Sequence, residues 1–287
     1  KNQYDGLLTY FKFMSGMDIG ENRRPQNGKL EVPFLKQKLN LRLSTLPIDD
    51  SESLAIRILP YENVMLLEDL FYFPTQAHTL LDWVRNPFGI ILFTGPTGSG
   101  KSTTMYALLQ TIMKEKPYQI ITLEDPIEQH IDHILQIQVN EKAGINYDAG
   151  LKAALRHDPD ILMVGEIRDE TTAQFAFRAA YTGHLVLSTI HAKNAFGTIF
   201  RLQEMGISKT DLSQSLIGIA SQQLIPHPKG RKAIIELLDG DLLTAAIQGQ
   251  SPYENKHFQS FDKLRKKAFT VDYEHSLSWT EKNYTTS

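Results

Sequence analysis

The sequence contains no cysteine in 287 residues, which excludes disulfide bonds, thiol chemistry and cysteine-ligated zinc. It also lacks any apolar run close to the roughly 20 residues that a membrane-spanning helix needs. No signal peptide is recognisable at its start. These absences are compatible with a zinc-free protein of the cytoplasm.

The sequence also has no marked excess of positively or negatively charged residues. The chain has 30 lysines and arginines against 33 aspartates and glutamates, a formal net charge of −3. Such a chain has no overall basic field to attract DNA or RNA, which argues against direct nucleic-acid binding. Hydrophobic residues make up 41% and charged residues 22%, which is typical of a globular protein of one large or two modest domains.

Residues 1–78 are predicted to form a small α+β domain. Apolar and polar residues alternate in Leu39–Ser44 and again in Leu54–Ile58, which is typical of half-buried strands. The turn-rich stretch Pro47–Ser51 lies between them, so we expect a hairpin. A turn centred near residues 49 and 50 would place Arg42 and Arg57 opposite each other on the polar face.

Residues 79–287 are predicted to form an α/β domain. Short apolar runs alternate with helical stretches, which indicates a parallel sheet covered by helices on both faces. The predicted strands are Ile90–Phe93, Ile120–Leu123, Ile161–Val164 and Leu185–Leu187. From about residue 205 the pattern is interpreted as mainly helical, with a short strand near Ala233–Leu237.

A complete P-loop pattern follows the first of these strands and precedes a predicted helix, Ser102–Met113. Glycines allow backbone N–H groups to converge on phosphate oxygens, and the helix N-terminus adds partial positive charge. In this pattern Lys101 reaches the β- and γ-phosphates and Ser102 ligates Mg²⁺. The nucleotide-binding residues predicted here are Gly95, Pro96, Thr97, Gly98, Ser99, Gly100, Lys101, Ser102 and Thr103.

The strand Ile161–Val164 runs into Gly165 and Glu166. We expect this strand to lie beside the P-loop strand and to direct Glu166 at Mg²⁺ or at the attacking water. Gly165 stands where an aspartate is usual, which is a departure from the common Walker B pattern.

Three carboxylates, Glu124, Asp125 and Glu128, follow the strand Ile120–Leu123. The carboxyl ends of strands in open α/β sheets are where ligand chemistry is placed. One of these acids is predicted to orient water and another to support the metal shell, although a solvated loop remains the alternative interpretation.

His184 and His191 flank the strand Leu185–Leu187, and one of them is a candidate sensor of the γ-phosphate. His130, Asp132 and His133 lie close together in another part of the sequence. They are interpreted as a polar loop rather than a metal site, because ligands so close together rarely complete a coordination shell.

Taken together, these motifs resemble the ATPase family that drives type II secretion, type IV pili and competence pseudopili, and the resemblance covers nearly the whole chain. The matching segments are Phe13–Gln26, an arginine hairpin at Leu41–Pro47 and Ile56–Leu59, an Asp box at Thr122–Glu128, a Walker B region at Leu155–Asp169 and a His box at Thr182–His191.

The resemblance implies a RecA-like P-loop NTPase domain, residues 79–287, behind a smaller PAS-like domain, residues 1–78. It implies catalytic roles for Glu124 or Glu128 in water activation and for Glu166 in Mg²⁺ binding or catalysis, and phosphate contacts from His191 and, as a second candidate, His184. Arg42 and Arg57 would complete the nucleotide site. The cofactors would be ATP and Mg²⁺.

The family works as a homohexamer at the cytoplasmic face of the cell membrane, where it drives an inner-membrane platform protein. A hinge near Phe73–Thr75 is expected to let the two domains close over ATP. The short, zinc-free chain with Ser188–Lys193 looks most like the competence pseudopilus ATPases of Gram-positive bacteria, although Gln222–Leu224 stands where relatives usually carry Gln-Arg-Leu.

Other functions stay open at this point. Retraction of a pilus or type II secretion would use the same motifs. A nucleic-acid-dependent RecA-like ATPase would require a basic, aromatic-rich groove, and a small-molecule kinase would require an acceptor pocket. No direct nucleic-acid contact is expected for the motor.

Overall fold

The structure is a computed structural model that describes residues 2–34, 37–49, 51–59, 66–228 and 230–270. The chain divides into two compact units, Lys1–Val64 and Met65–Ser287. In the described ranges, no helix combines the length and the apolar character needed to cross a bilayer.

The described residues of the first unit form one helix and an antiparallel sheet, in agreement with the α+β prediction. Its described elements are α1 (Asn2–Met14), β1 (Gln26–Phe34), β2 (Gln37–Ile48) and β3 (Ser51–Leu59), with the strands in the order β1-β2-β3. Side chains alternate between the two faces of a strand, and Leu41 and Leu43 are buried with Leu30 and Met17. The predicted hairpin is confirmed as β2 and β3; Asp50 of its turn lies outside the described residues.

The second unit contains a seven-stranded sheet of order β10-β9-β4-β8-β7-β5-β6, parallel throughout except for the antiparallel pair β9 and β10. Its strands are β4 (Gly89–Thr94), β5 (Ile120–Glu124), β6 (Leu135–Gln138), β7 (Ile161–Ile167), β8 (Leu185–Ile190), β9 (Leu216–His227) and β10 (Gly230–Asp239). Its helices are α2 (Leu67–Leu70), α3 (Pro74–Val84), α4 (Lys101–Ile112), α5 (Tyr147–Leu155), α6 (Glu170–Tyr181), α7 (Ala195–Glu204), α8 (Lys209–Ser215), α9 (Gly240–Ile247) and α10 (residues 261–270).

The central strands are apolar on both sides because helices cover both faces of the sheet. In β4, Ile90 and Leu92 belong to one buried cluster, whereas Ile91 and Phe93 belong to the other. All four strands predicted for the α/β domain are confirmed as β4, β5, β7 and β8, and the predicted helix after the P-loop is confirmed as α4.

The strand order corrects one expectation. Strand β7, which carries Glu166, does not lie beside the P-loop strand β4, because β8 is inserted between them. The order of strands in a sheet depends on contacts distant in sequence, so the local pattern could not reveal this insertion.

The prediction of a helical part from about residue 205 is wrong over much of its length. Two long strands, β9 and β10, add an antiparallel hairpin to the edge of the sheet, and the short strand expected near Ala233–Leu237 is the middle of β10. The apolar run at the start of β9 does not reveal this strand, since periodicity alone does not separate short buried strands from buried helices.

The boundary between the compact units falls earlier than the predicted 78/79. That predicted position lies inside α3, whose residues Ala77 and Leu80 are fully buried in the same cluster as Ile91 of β4. The proposed hinge near Phe73 also lies within the second unit, where Phe73 packs beside Ile234 and Leu264.

Candidate functional site

The P-loop connects the central strand β4 to helix α4, as its pattern requires. Gly95, Gly98 and Gly100 have φ angles of 135°, 78° and 85°, a region that glycine adopts without a steric penalty. Gly100 caps α4, so Lys101, Ser102 and Thr103 occupy its first turn. The loop therefore ends at a helix N-terminus, which favours bound anions.

Lys101 lies over the loop that precedes it. Its Nζ donates hydrogen bonds to the carbonyl oxygens of Gly95, at 2.9 Å, and Pro96, at 3.1 Å. Burial lowers the pKa of Lys101, and the nearby carboxylates of Glu166 and Glu128 oppose that shift. Lys101 thus lies within electrostatic range of two of the predicted acids. Pro96 and Thr97 of the loop are exposed.

Glu166 lies near the carboxyl end of β7 with both carboxylate oxygens engaged. Its Oε1 is 3.1 Å from His191 Nε2, and its Oε2 accepts a hydrogen bond of 2.8 Å from Arg168 Nε. A shift of register between Val164 and Ile167 occurs where Glu166 leaves the ladder with β8. The structure therefore brings two predicted site residues, Glu166 and His191, into direct contact.

Glu124 is in a different environment, since it is only 3% exposed. Its carboxylate accepts hydrogen bonds from the hydroxyls of Tyr106 and Thr122 and from the amide of Gln136. Burial, reinforced by the charge of Glu124, raises the pKa of Tyr106, so the phenol stays protonated and donates. This packing favours a structural role for Glu124 over the predicted contact with water.

Asp125 and Glu128 are exposed, unlike Glu124. Asp125 Oδ2 is 3.5 Å from Arg168 Nη1, and Glu128 acts electrostatically on Lys101. Of the two glutamates that were candidates for water activation, Glu128 is therefore the one that lies on the solvent side near the P-loop lysine.

Arg168 was not among the predicted site residues. It links the end of β7 to the loop after β5, because its guanidinium contacts both Glu166 and Asp125. The sequence signal was available, since Arg168 belongs to the Walker B segment that resembles the family, but only the fold brings Asp125 to it.

A polar pocket of about 200 Å³ opens beside this arginine. Burial and the charge of Asp125 raise the pKa of Tyr147 in its wall to about 12, so that phenol is a neutral donor at physiological pH. The pocket is lined by Asp125, Val139, Glu141, Tyr147, Glu166, Arg168, Asp169 and Thr172. Space for solvent therefore exists next to Glu166.

His184 is placed differently from His191. It precedes β8, and its Nδ1 lies 3.0 Å from the carbonyl oxygen of Ala179 and 3.1 Å from the hydroxyl of Thr182. The six residues of β8 separate it from the P-loop edge of the sheet by about 20 Å. This placement argues against the predicted phosphate contact, because His184 lies at the opposite end of the parallel strands.

In the first unit, Arg42 of β2 and Arg57 of β3 are directly paired. The register that was predicted for the hairpin is therefore confirmed. Lys29 of β1 is paired with Arg42 as well, and directly paired residues point to the same face of a sheet. Three cationic residues thus form a row across this sheet, on the face opposite Leu41 and Leu43.

Comparisons with known proteins agree with this fold. The family described as type II/IV secretion system protein matches residues 2–265. Competence protein ComGA of Bacillus subtilis (strain 168) is 43% identical over 286 residues, which cover 93% of this chain and 80% of that protein. Type II secretion system protein E of Aeromonas hydrophila is 44% identical over 220 residues, covering 76% of this chain and 44% of that protein.

Among solved structures, the pilus retraction motor PilT with bound ADP has a TM-score of 0.68 and 34% sequence identity, covering 79% of this chain and 67% of that chain. The predicted fold class, an α/β P-loop domain preceded by a small α+β domain, is confirmed by this similarity.

Proposed function

Because the chain belongs to the type II/IV secretion system protein family, we propose that it is the ATPase motor that assembles a pilus-like competence fibre for DNA uptake. The observation that carries this proposal is the 43% identity to the B. subtilis competence protein across 93% of the chain. The family and the P-loop identify the chain as a nucleotide-binding ATPase. The role in competence is the more specific part of the proposal.

In the proposed mechanism, the P-loop binds ATP. Backbone N–H groups of the loop and the N-terminus of α4 hold the phosphates. Lys101 leaves the carbonyl oxygens of Gly95 and Pro96 and donates to the β- and γ-phosphates. Its partial burial supports this exchange, because a desolvated ammonium gains more from an anionic partner than a hydrated one does.

Glu166 would act on the attacking water. Its two oxygens contact Arg168 and His191, which hold the carboxylate in the lining of the polar pocket. A carboxylate in this position can orient water and accept its proton, an effect worth about 10²–10⁴-fold in rate. His191, through its contact with Glu166, would also sense the γ-phosphate.

The residues present suit a Mg²⁺ ion bound with the nucleotide. Ser102 offers a hydroxyl in the first turn of α4, and Glu166 offers a carboxylate near Lys101. When bound, the ion would neutralise charge on the phosphates. Across the described ranges, no group of three or more acidic or histidine side chains is placed to hold a metal ion by itself.

The remaining parts of the proposal concern assembly. Arg42 and Arg57 would add positive charge to the triphosphate, since two guanidiniums on one face suit a polyanion. We further propose a homohexameric ring that binds a platform protein at the cytoplasmic face of the cell membrane without contacting DNA itself. The chain's net charge of −3 supports the last point.

The competence role is tested in the organism from which the chain comes. Deletion of the gene should abolish uptake of DNA, and the wild-type chain, but not Lys101→Ala, should restore it at equal expression. Normal uptake after deletion would contradict the proposal. Loss of protein export instead would indicate type II secretion, and loss of fibre withdrawal with fibres intact would indicate the retraction function suggested by the similarity to PilT.

Steady-state ATP hydrolysis by the purified chain tests the chemistry separately. Lys101→Ala and Glu166→Gln should each lower turnover by about 10²-fold or more. Turnover that requires added DNA would favour a nucleic-acid-dependent ATPase. Mass measurements with and without nucleotide test the proposed ring, and a strictly monomeric chain at high concentration with ATP would argue against it.

A further inference from the structure

Gln222 of β9 is a buried polar residue that the proposed mechanism does not use. It is 1% exposed, and both ends of its side-chain amide have partners. Nε2 donates to the carbonyl oxygen of Ser99 at 2.6 Å, and Oε1 accepts from the hydroxyl of Thr104 at 3.0 Å. One side chain therefore connects the P-loop to the first turn of α4, on either side of Lys101.

The backbone of Gln222 also approaches the loop. A Cβ atom added at Gly95 would lie 2.4 Å from the carbonyl oxygen of Gln222, and one added at Gly100 would lie 3.0 Å from its Nε2. Gly95 is thus required for this contact with β9, in addition to its positive φ angle, and a side chain at Gly100 would press on the amide of Gln222. Gln222 forms the wall that supports the loop from the strand side.

The bond to Ser99 has a consequence for the orientation of the loop. In a planar trans peptide, the C=O and the following N–H point in opposite directions. Because Gln222 Nε2 holds the carbonyl oxygen of Ser99 on the side of β9, the N–H of Gly100 is directed away from β9. That amide is one of the groups that the P-loop pattern assigns to phosphate binding.

A buried glutamine can also be purely structural, and the same unit contains an example. Gln76 is 6% exposed, and its amide donates to the carbonyl oxygen of Ile235 and accepts from the N–H of the same residue. Its partners belong to β10 and not to the loop. Both glutamines are therefore buried and make two side-chain hydrogen bonds each. Gln76 bonds to the backbone of a strand, whereas Gln222 bonds to the P-loop and to helix α4.

We propose that Gln222 is a positioning residue for nucleotide binding, which holds the P-loop amides in the orientation that receives the β- and γ-phosphates. This inference rests on the nucleotide site of the proposed function. Gln222 does not touch the nucleotide; it acts through Ser99 and Thr104, which lie 123 and 118 residues away in sequence.

The test compares Gln222→Leu with Gln76→Leu in the full chain. Each substitution removes two buried hydrogen bonds, so both should lower the unfolding temperature without nucleotide to a similar extent. Only Gln222→Leu should weaken ADP binding, by about tenfold or more in Kd measured by calorimetry. It should also raise KM for ATP more than it lowers kcat, because Gln222 acts on binding of the phosphates.

An equal Kd for ADP in Gln222→Leu and the wild type would overturn the proposal, and so would an equal loss of ADP affinity in both glutamine variants. Thr104→Val provides a second variant if Gln222→Leu does not fold, since it removes one of the two bonds. It should raise the Kd about threefold or more, and an unchanged Kd would refute the inference. Measurement of the Kd for ADP does not require ATP turnover. Its result can therefore be interpreted even if the proposed role in competence is wrong.

Discussion

At the scale of single residues, three glutamate side chains near the carboxyl ends of the parallel strands lie in three different environments. Glu124 is enclosed by the donors of Tyr106, Thr122 and Gln136. Glu166 is held between a histidine and an arginine beside a pocket. Glu128 is exposed near Lys101. Burial and partners, rather than residue type, separate the structural carboxylate from the candidates for catalysis.

The assignment of Glu124 to structure predicts a loss of stability on substitution. Glu124→Gln replaces one carboxylate oxygen, which accepts hydrogen bonds, by an NH₂ group that would face buried hydrogen-bond donors. We therefore expect a loss of about 1–3 kcal/mol in the free energy of unfolding. Urea denaturation measures this, with the exposed Glu128→Gln as control. Unchanged stability combined with lost turnover would instead favour the catalytic role predicted from the sequence.

Arg168 is predicted to position Glu166. Arg168→Ala should lower kcat by roughly tenfold to a hundredfold with little effect on KM, because a misplaced carboxylate no longer orients water. Arg168→Lys should recover only part of the loss. Lysine keeps the positive charge, but it lacks the planar guanidinium group with which Arg168 contacts both Glu166 and Asp125. Full activity of Arg168→Ala in steady-state assays would contradict this role.

At the scale of elements, strand register decides which side chains act together. In the hairpin of β2 and β3, Arg42 and Arg57 are directly paired, an arrangement in which repulsion between like charges destabilises a sheet, and Lys29 extends the row. A bound polyanion would relieve that repulsion. In the larger sheet, the parallel strands β4, β7 and β8 bring the P-loop, Glu166 and His191 to one edge because their carboxyl ends coincide.

The arginine pair is predicted to serve turnover more than binding. Arg42→Ala and Arg57→Ala should each lower ATP turnover by about 10³-fold if they act as arginine fingers, while ADP affinity of the second unit stays nearly constant. The exposed Arg24→Ala is the matched control, because its side chain is 84% exposed and lies outside the sheet. Wild-type turnover in both variants would remove these arginines from the site.

At the scale of the whole molecule, the chain consists of two units with separate cores. The hydrogen bonds of Lys101, Glu166 and Gln222 lie within the second unit. The cationic row of the first unit and the nucleotide loop of the second unit therefore belong to separate compact units of the chain.

This division predicts that residues 65–287 fold alone and bind ADP with an affinity close to that of the full chain. Turnover by this fragment should be much lower, since it lacks Arg42 and Arg57. Circular dichroism and calorimetry measure folding and binding, and the full chain with both arginines replaced by alanine is the control. A fragment with full turnover would show that the first unit is unnecessary for hydrolysis.

The local features of this protein can be predicted from its amino-acid sequence. The P-loop, its preceding strand and its following helix are contiguous, so their residue pattern predicts them directly. The hairpin that pairs Arg42 with Arg57 follows from period-two alternation on both sides of a short turn. Membership of the family was also visible, because its motifs are short segments read in order.

Which distant segments meet became visible with the fold. It inserted β8 between β4 and β7, enclosed Glu124, and set His184 at the far end of its strand. It also brought Gln222 under a loop 123 residues earlier in the chain. The physical reason is that periodicity reports which face of an element is buried, whereas strand order and side-chain partners depend on long-range packing that no local window of sequence contains.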